Sequence, residues 1–401
     1  MPFPAPQDLQ PAHRSGLRWN PALEGLRCLS CGTLYPVSLR HDGCPKCAAA
    51  GRHVSLAASY AGPPGPGVSL PFLGFAQQTQ AGTSRSLPAF AEALGVAQVT
   101  VHDESRNPSG SHKDRMSAFG VAHALLAGAD TLVLASSGNA ALSAAVYARA
   151  AGLRCEVATY ADMPHSYVEA LEAQGAVRFV FTDNQGRWDH VARRAEDKGV
   201  LPLTNYHLPA LGGAPLALEG YKTIAVEMAA WDALPDHIVV PTARGDLLWG
   251  IYRGLSELHA AGRIRAMPQL WAVEPFPRLS LVLNGASLHA SHPGQTAQFS
   301  TAGATTTWLQ HQAATATGGG AVAIDDATAR RARVSWQAVD SQPELCAAAT
   351  LAAARELVAT QRIAPSSHVC LVLTANASRD PAWPDPAATP ALFQPSHGVP
   401  A

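Results

Sequence analysis

The stretch TLVLASSGNAALSAAVYARAAGLRCEVATY, residues 131–160, contains one complete strand–turn–helix–strand unit. TLVLA (131–135) and CEVATY (155–160) are short apolar runs of the kind that form buried strands. Between them the turn SSGN leads into AALSAAVYARAAG (140–152), which predicts a helix. Two buried strands joined through a helix lie parallel in one sheet, so this stretch predicts an α/β fold.

The same alternation continues on both sides of this unit. Further strands are predicted in AQVTVHDE (97–104), VRFVF (177–181), HIVVPT (237–242), QLWAVE (269–274) and HVCLVLT (368–374). Helices are predicted between and beside these strands, in segments 111–128, 165–175, 188–199, 247–262 and 343–360. Short apolar strands that alternate with helices imply mostly parallel sheets with helices on both faces.

The composition limits what the chain can do. Its 401 residues are 47% hydrophobic, which is enough for one large or two moderate domains with substantial cores. A net charge of −1 gives no electrostatic reason to bind nucleic acid or an acidic membrane surface. No apolar run reaches the ~18–20 residues that span a bilayer, and the N-terminus lacks a signal-peptide pattern. We therefore expect a cytoplasmic protein with neither nucleic acid nor membrane as a partner.

Four of the seven cysteines form two Cys-x-x-Cys pairs, CLSC (28–31) and CPKC (44–47), with twelve residues between them. Each pair can chelate one ion through a tight turn, and four thiolates suit tetrahedral zinc. We predict a zinc-ribbon-like segment at 25–50 that holds a structural zinc ion through Cys28, Cys31, Cys44 and Cys47. A degenerate ribbon without metal and a redox-active pair are the alternatives.

Lys113 lies in NPSGSHKDRM (107–116), in the first turn of a predicted helix that follows a strand end. Such ends are where α/β folds place ligands, because helix N-termini attract anions. The chain has only four lysines among its 29 lysines and arginines, and a lysine can lose its proton when buried whereas arginine cannot. Lys113 is therefore a candidate nucleophile, although a codon-biased genome with a few remaining lysines is a simpler explanation of the count.

A second strand–helix junction, ASSGNA (135–140), presents two hydroxyls, a glycine and an amide. Taken alone, residues 136–139 form no more than a good helix N-cap. In a functional interpretation, residues 136–139 are hydrogen-bonding groups that face a ligand bound near Lys113.

Together these stretches carry a resemblance to a known family. NPSGSHKDRM resembles the Asn-Pro-Thr-Gly-Ser-Phe-Lys-Asp-Arg motif of threonine synthases, which belong to the fold-type II (tryptophan synthase β-like) pyridoxal-phosphate-dependent enzymes. ASSGNA resembles the family's Ala-Ser-Thr-Gly-Asn loop, and LVLTANASRDP (371–381) resembles its C-terminal block. Segments 218–228 and 236–255 match the blocks between them, so order and spacing hold from about residue 80 to 381. A cysteine ribbon before the catalytic domain also occurs in some threonine synthases.

The resemblance implies a two-domain, three-layer α/β fold with mostly parallel twisted sheets. Residues 51–115 and 206–381 would form a large cofactor-binding domain, and residues 116–205 a small domain. An irregular arm (1–24) would precede the ribbon, GPPGPG (62–67) would be a linker, and a Pro/Ala-rich tail (382–401) would follow. Members of the family are commonly homodimers, and the resemblance implies the same here.

The resemblance also assigns roles to the motif residues. Lys113 would form the Schiff base with pyridoxal 5'-phosphate and, once freed, would remove the substrate's α-proton. Asn139 would bind the cofactor's phenolic oxygen. The neutral hydroxyl of Thr374 would meet the ring nitrogen and leave it largely unprotonated. The substrate's carboxylate would be bound at the second junction, beside His112, by Ser136, Ser137 and Gly138.

The sequence departs from the family at PTARGDLLWG (241–250), where a glycine-rich loop usually cradles the cofactor phosphate. It keeps Gly245 there and adds Arg244 and Asp246. We predict that these three residues still bind the phosphate end, with Arg244 compensating and Asp246 turned to cap the following helix. A displaced or different ligand, or weak cofactor binding, are the alternatives. His112 replaces the usual Phe and either packs in its place or joins acid–base chemistry.

These features predict a pyridoxal-phosphate-dependent lyase or synthase of the threonine-synthase type. It would act by elimination or replacement at the β or γ carbon of a small amino acid such as O-phosphohomoserine. One alternative is β-replacement or ammonia-lyase activity on a serine-like or threonine-like substrate. Another is a non-catalytic paralogue with a degenerate phosphate loop. Lys222 is interpreted as a structural ion-pair residue.

Overall fold

The computed structural model describes residues 16–62, 67–74 and 82–380. The strands, numbered in chain order, are β1 (Arg18–Trp19), β2 (Leu23–Cys28), β3 (Leu34–Tyr35), β4 (Leu56–Tyr60), β5 (Phe72–Leu73), β6 (Thr83–Ser86), β7 (Gln98–Asp103), β8 (Thr131–Ala135), β9 (Arg154–Tyr160), β10 (Val177–Phe181), β11 (Val200–Pro202), β12 (His237–Pro241), β13 (Gln269–Glu274), β14 (Gly320–Ala323) and β15 (His368–Leu373).

The helices are numbered in the same way. They are α1 (Pro45–Ala48), α2 (Pro88–Leu94), α3 (Lys113–Leu126), α4 (Asn139–Ala151), α5 (His165–Ala173), α6 (Asn184–Arg194), α7 (Pro215–Leu218), α8 (Lys222–Ala229), α9 (Asp246–Ala260), α10 (Leu279–Leu283), α11 (Trp308–Ala316), α12 (Asp326–Gln337) and α13 (Leu345–Ala359). A short 3-10 helix, Phe299–Thr301, lies between α10 and α11.

Two sheets organise the fold. The larger has six strands in the order β14-β13-β12-β15-β7-β6, and the smaller has four in the order β10-β9-β8-β11. All neighbouring strands in both sheets run parallel, except β6, which is antiparallel to β7. The prediction of an α/β fold with mostly parallel sheets is therefore confirmed. The four-stranded sheet uses residues 131–202, which fall within the predicted small domain; the domain boundaries themselves stay a prediction.

The burial of each strand in the larger sheet explains its amino-acid composition. Every residue of β12 and β15 is buried, because helices cover both faces of the sheet. Their sequences HIVVP and HVCLVL are accordingly almost continuous apolar runs. β6, at the edge, has the sequence TSRS and is exposed throughout, so polar side chains protect the unpaired edge.

Helix α13 lies against the larger sheet, where it contacts β12, β13 and β15. It is buried along nearly its whole length, from Leu345 to Leu357. A helix that is apolar all round belongs in a core, and its many alanines let it approach the sheet closely. This position brings the N-terminal end of α13 to the carboxyl ends of the strands, where the site lies.

The N-terminal region differs from the irregular arm predicted for residues 1–24. In its described part, β1 pairs with β5, and β2 begins at Leu23 in a three-stranded antiparallel sheet of order β3-β2-β4. The proline-rich composition that suggested an arm is concentrated in the first residues, of which 1–15 lie outside the described residues. Most of the predicted linker and the predicted tail also lie outside them.

Among the described residues, no helix has both the length and the apolar character needed to cross a bilayer.

Candidate active site

The carboxyl ends of four parallel strands meet around one cavity. Lys113 begins the helix after β7, Asn139 begins the helix after β8, Gly245 follows β12 and Thr374 follows β15. The cavity between them has a volume of about 210 Å³ and is open to solvent on one side. Ligands of α/β proteins bind at this edge of the sheet, because the connecting loops and helix N-termini converge there.

All ten residues that the sequence predicted for cofactor and substrate line this one cavity. They are His112, Lys113, Ser136, Ser137, Gly138, Asn139, Arg244, Gly245, Asp246 and Thr374. The structure therefore brings the whole set together, while the individual roles stay predictions.

Lys113 reaches the cavity from the first position of α3. Its amine forms no ion pair with another described residue. Burial lowers the pKa of this amine, and the positive charge of Arg244 lowers it further, against the opposing charges of Asp246 and Glu344. A lowered pKa leaves more of the neutral amine at neutral pH, which is the form that attacks a carbonyl group.

His112 packs beside Lys113 rather than serving as an acid near neutral pH. Its Nδ1 lies 3.3 Å from the carbonyl oxygen of Thr374, and its ring centre lies 5.8 Å from that of Tyr221. Burial and the charge of Lys113 lower the pKa of the imidazole to about 3, so the ring stays neutral at physiological pH. Of the two readings of His112, the structure favours packing. Its role in substrate binding stays a prediction.

The loop before α4 is held in place through its two serine hydroxyls. Ser136 Oγ accepts a hydrogen bond from the Ala141 N–H at 3.2 Å, and Ser137 Oγ accepts one from Thr159 Oγ1 at 2.9 Å. A Cβ at Gly138 would lie 2.7 Å from Cε1 of Phe299. Only glycine therefore fits at this turn without moving the Phe299 ring.

Asn139 is held by partners on both sides of its amide. Tyr167 donates its phenolic proton to Asn139 Oδ1 at 2.7 Å, and Asn139 Nδ2 donates to Glu344 Oε2 at 3.2 Å. Glu344 also accepts from Thr374 Oγ1 at 2.8 Å, so one buried carboxyl joins the two residues that the sequence placed at the cofactor ring.

The phosphate end of the predicted site is built around Gly245 and Arg244. Gly245 is the N-cap of α9 with φ +90°, and a Cβ there would lie 2.2 Å from Cβ of Gln310. Arg244 lines the cavity without an ion-pair partner among the described residues, and its Nε donates to Thr305 Oγ1 at 3.3 Å. A half-buried guanidinium next to the N-terminus of a 15-residue helix fits an anionic group such as the cofactor phosphate.

The prediction that Asp246 caps α9 is wrong. Gly245 occupies the N-cap position, and Asp246 is the first residue of the helix. The Asp246 carboxylate instead accepts a hydrogen bond from the Gly213 N–H at 3.3 Å. The left-handed conformation of Gly245 is the reason, because it shifts the helix start by one residue and turns Asp246 toward the loop at Gly213.

The four ribbon cysteines cluster as a metal site would require. Their sulfur atoms all lie within 4.8 Å of one another, with Cys28–Cys47 at 3.7 Å and Cys31–Cys44 at 3.6 Å. Tetrahedral zinc, with Zn–S bonds of about 2.3 Å, places sulfur atoms about 3.8 Å apart. Backbone N–H groups of Cys31 and Cys47 point at the sulfurs of Cys28 and Cys44, as in a metal-binding turn. The donor set therefore fits zinc.

Lys222 is structural, as interpreted from the sequence. Its ammonium is fully buried and forms ion pairs with Glu219 and with Glu257, the latter at 2.6 Å. It also donates to the Ser69 carbonyl oxygen at 2.8 Å.

Sequence reasoning missed several cavity residues, namely Arg187, Phe299, Ser300, Glu344 and Cys346. Glu344 and Cys346 lie in QPELCAAA (342–349), a segment that does not preserve the family's usual Pro-Ala-Ser-Ala-Ala. That departure was the available signal for both residues. Nothing in the sequence distinguishes Arg187 from the other arginines of α6.

Comparison with known proteins agrees with this architecture. The family model for pyridoxal-phosphate dependent enzymes matches residues 78–375. Because this is most of the chain, the chain belongs to that family. The match confirms the prediction of a fold-type II, pyridoxal-phosphate-dependent lyase.

Within the family the chain is threonine synthase-like. It is 29% identical to a threonine synthase of Halalkalibacterium halodurans over 292 residues, 69% of this chain and 77% of that protein. It is 27% identical to a threonine synthase of Mycobacterium leprae over 307 residues, 73% of this chain and 80% of that protein. A fungal L-serine ammonia-lyase from Rhizomucor miehei shares the fold, with a TM-score of 0.63 and 19% identity over 75% of this chain and 94% of that one.

Proposed function

We propose that this enzyme catalyses elimination or replacement at the β or γ carbon of a small amino acid with an anionic leaving group, such as O-phosphohomoserine. The observation that carries the proposal is the half-buried amine of Lys113, which lies in one cavity with the buried Arg187 and the half-buried Arg244. Neither arginine forms an ion pair with a described residue, so the cavity has positive charge to offer to a ligand.

The residues at the cavity fit pyridoxal phosphate. Lys113 would bind the carbonyl carbon of the cofactor, and Asn139 and Thr374 would contact its ring. Arg244 and the N-terminus of α9 would bind its phosphate. When bound, the cofactor supplies an acceptor for the electrons released at the substrate's α carbon. The Lys113 amine, with its lowered pKa, would take the α-proton. Ser136, Ser137 and Gly138 would hold the substrate's carboxylate.

Arg187 supports an anionic leaving group. It is only 6% exposed, its guanidinium lies 4.1 Å from the Tyr160 ring centre, and its buried Nε has no acceptor among the described residues. Burial lowers the pKa of Arg187, and the positive charge of Arg244 lowers it further. The guanidiniums of Arg187 and Arg244 repel each other, and anions that bind near them would stabilise both charges. One anion would be the cofactor phosphate and the other the leaving group.

The first test is cofactor attachment. Purified protein saturated with pyridoxal phosphate should gain a visible absorbance band that is lost in Lys113→Ala and retained in Lys198→Ala, which changes an exposed lysine. The cofactor assignment fails if wild type gains no band, or if Lys113→Ala keeps it.

The second test is substrate choice. Phosphohomoserine, O-acylated serine, serine and threonine would be compared as substrates of wild type and Arg187→Gln. We expect phosphohomoserine to be preferred, and Arg187→Gln to raise its KM about 10–100-fold, equivalent to about 1.5–3 kcal/mol for a charged hydrogen bond. Turnover of serine, which has no anionic leaving group, should change little.

A second candidate function is β-replacement or ammonia-lyase activity on serine-like or threonine-like substrates. The apolar stretch GGAPLALEG (212–220) favours it, because it brings no basic side chain to the substrate. A preference for serine over phosphohomoserine, unaffected by Arg187→Gln, would support this candidate. A non-catalytic paralogue is disfavoured by the complete set of Lys113, Asn139 and Thr374 around the cavity.

We also propose that the ribbon binds one structural zinc ion and that the enzyme is a cytoplasmic homodimer. The clustered thiolates support the zinc, and the family resemblance supports the dimer. Metal analysis, light scattering of the purified protein and imaging of a tagged chain in its cell would test the three statements separately.

A further inference from the structure

Arg278 is a buried arginine that lies behind the phosphate end of the cavity and is not among the residues that line it. Its Nη2 donates to the Thr242 carbonyl oxygen at 2.9 Å, and its Nη1 donates to the Gly303 carbonyl oxygen. The carboxylate of Glu274, with Oε2 3.5 Å from Arg278 Nε, balances its charge. One side chain therefore joins the loop after β12, the end of β13 and the segment that follows the short 3-10 helix.

Glu274 also fixes the backbone from which the Arg278 side chain starts. Its Oε1 accepts from the N–H groups of Arg278 at 3.1 Å and Ser280 at 3.0 Å, and its Oε2 accepts from the Leu279 N–H at 2.9 Å. Burial lowers the pKa of the Arg278 guanidinium to about 10, while the charge of Glu274 raises it, so the group stays charged at neutral pH. Arg278 is therefore a charged donor that is fixed at the carboxyl end of β13.

The two loops that Arg278 joins are those that surround Arg244. Thr242 lies two residues before Arg244 in the chain. Gly303 lies against the Arg244 guanidinium, since a Cβ at this glycine would lie 3.4 Å from Arg244 Cζ. Thr305, two residues after Gly303, accepts from Arg244 Nε at 3.3 Å. Arg278 thus fixes the loop that carries Arg244 relative to the loop on which its guanidinium lies.

The same two hydrogen bonds orient the peptide groups at the cavity wall. In a trans peptide the C=O and the following N–H point in opposite directions. Because the carbonyl groups of Thr242 and Gly303 point at Arg278, the N–H groups of Ala243 and Ala304 point away from it. Ala243 and Ala304 both line the cavity, and no described residue accepts a hydrogen bond from either N–H. These N–H groups are available to an anion, and the two carbonyl oxygens, which would repel an anion, are turned away.

We propose that Arg278 is a positioning residue for the anion site at the phosphate end of the cavity. It would hold Arg244 and the N–H groups of Ala243 and Ala304 in the arrangement that binds the cofactor phosphate. This inference rests on the proposed function. Residues with a Cβ restrict a loop, so the loop at 241–250, which keeps Gly245 where the family has several glycines, needs contacts from elsewhere to turn its N–H groups toward one anion. Arg278 supplies these contacts without touching the anion itself.

The test separates the phosphate from the rest of the cofactor. Full-length wild type, Arg278→Met and Arg278→Lys would be titrated with pyridoxal phosphate and with unphosphorylated pyridoxal, and the visible absorbance band recorded. Arg278→Met removes both carbonyl hydrogen bonds, so we expect its affinity for pyridoxal phosphate to fall about tenfold or more and its affinity for pyridoxal to change less than about twofold. Arg278→Lys should recover only part of the loss, because an ammonium is a point charge without the planar fork of a guanidinium.

Arg253→Met is the matched control. Arg253 also donates to a backbone carbonyl oxygen, that of Ala58 at 3.2 Å, and pairs with Glu257, but it does not line the cavity. A second measurement is the ³¹P chemical shift of bound pyridoxal phosphate at saturation, which should differ from wild type in Arg278→Met and match wild type in Arg253→Met. Thermal unfolding of the cofactor-free proteins records the stability that each variant loses.

The outcomes separate this inference from the proposed function. Equal losses of affinity for pyridoxal phosphate and pyridoxal in Arg278→Met, no loss for either, or full recovery in Arg278→Lys would overturn the role of Arg278 alone. A wild type that binds the two compounds equally would also overturn the placement of the phosphate, and a wild type without a visible band would overturn the cofactor assignment. If Arg278→Met fails to fold, Arg278→Lys decides: a selective loss for pyridoxal phosphate supports the inference, and an equal or absent loss overturns it.

Discussion

Arg115 and Glu104 form a buried, two-pronged ion pair directly beneath the helix start that carries Lys113. Arg115 Nε donates to Glu104 Oε2 at 2.7 Å, and Arg115 Nη2 donates to Glu104 Oε1 at 2.6 Å. Both side chains are fully buried. Because Arg115 lies two residues after Lys113 and Glu104 follows β7, the pair fixes the end of the strand to the first turn of α3.

Glu104→Gln should therefore destabilise the protein. It removes one of the two carboxylates that pair with Arg115, the other being Glu227 at 2.7 Å. Breaking a buried ion pair costs up to about 3–5 kcal/mol when the remaining charge has no other partner, so we expect a loss of about 1–3 kcal/mol here. Glu24→Gln is the matched control, because Glu24 pairs with Arg27 on the surface and such pairs contribute about 0–1 kcal/mol. Urea unfolding at neutral pH measures the unfolding free energy of both variants. Equal losses of unfolding free energy in the two variants would contradict the assignment.

The stabilisation from Glu104 should also depend on pH. Burial alone would raise the pKa of its carboxyl, but the charge of Arg115 and hydrogen bonds from His102 and Arg115 hold it well below its usual range. A carboxyl with a lowered folded-state pKa stabilises the fold above its unfolded value of about 4.3 and loses this stabilisation as pH falls below it. The gap in unfolding free energy between wild type and Glu104→Gln should therefore narrow below about pH 4.3. A larger difference in unfolding free energy at low pH would contradict this expected pH dependence.

Gly245→Ala should weaken cofactor binding. The backbone at Gly245 is in the left-handed conformation, which is about 1–2 kcal/mol less favourable for a residue with a Cβ. In addition, the new Cβ would lie 2.2 Å from Cβ of Gln310, which forces the helix start to move. Gly262→Ala, at the other end of α9, is the control: its φ is +67°, but nothing lies within 4 Å of its Cβ.

Both glycine variants should lose similar stability from backbone strain. Only Gly245→Ala should also lose affinity for pyridoxal phosphate, by about tenfold or more. Titration of the visible band with cofactor measures the affinity. A normal affinity in Gly245→Ala would place the phosphate elsewhere in the cavity.

Arg244→Gln should reduce cofactor affinity about 10–100-fold, because a charged hydrogen bond to an anion contributes about 1.5–3 kcal/mol. Arg263→Gln, an exposed position, should leave the affinity unchanged. The comparison of pyridoxal phosphate with unphosphorylated pyridoxal is decisive. If Arg244 binds the phosphate, the variant should bind the two compounds more equally than wild type does.

The sequence predicted those parts of the site that are encoded locally. Lys113, Asn139 and Thr374 each stand in a short motif at a strand end, and the parallel sheet brings such ends together. Glu344 could not be found in this way, since its partners Thr374 and Asn139 lie 30 and 205 residues away in the chain. Only the packing of α13 beneath the sheet makes them neighbours.

The error at Asp246 has the same physical origin. An aspartate at a predicted helix start is a common cap, and no local pattern indicated a different contact. The actual contact, to the Gly213 N–H, comes from a loop 33 residues earlier in the chain. The left-handed conformation of Gly245 and this distant donor together outweigh the local preference.

If the ribbon holds zinc as proposed, removal of that metal should affect the cavity as well as the ribbon, because the ribbon packs on a loop that reaches the site. Tyr206 donates to Asp42 Oδ1 at 2.8 Å, and Ser55 Oγ donates to the Leu211 carbonyl oxygen at 2.7 Å. The same loop contains Asn205, which lines the cavity and accepts a hydrogen bond from the Leu211 N–H at 2.8 Å. Loss of the metal would loosen the ribbon and, with it, this wall of the site.

Cys44→Ser should therefore lose the bound metal, lower the unfolding temperature and reduce affinity for pyridoxal phosphate about tenfold. Cys155→Ala, a buried cysteine outside the ribbon, should keep its metal and its cofactor affinity even if its stability falls. Metal content, thermal unfolding and cofactor titration measure the three effects. A Cys44→Ser protein that lost metal but bound cofactor normally would show that the ribbon and the cavity are independent.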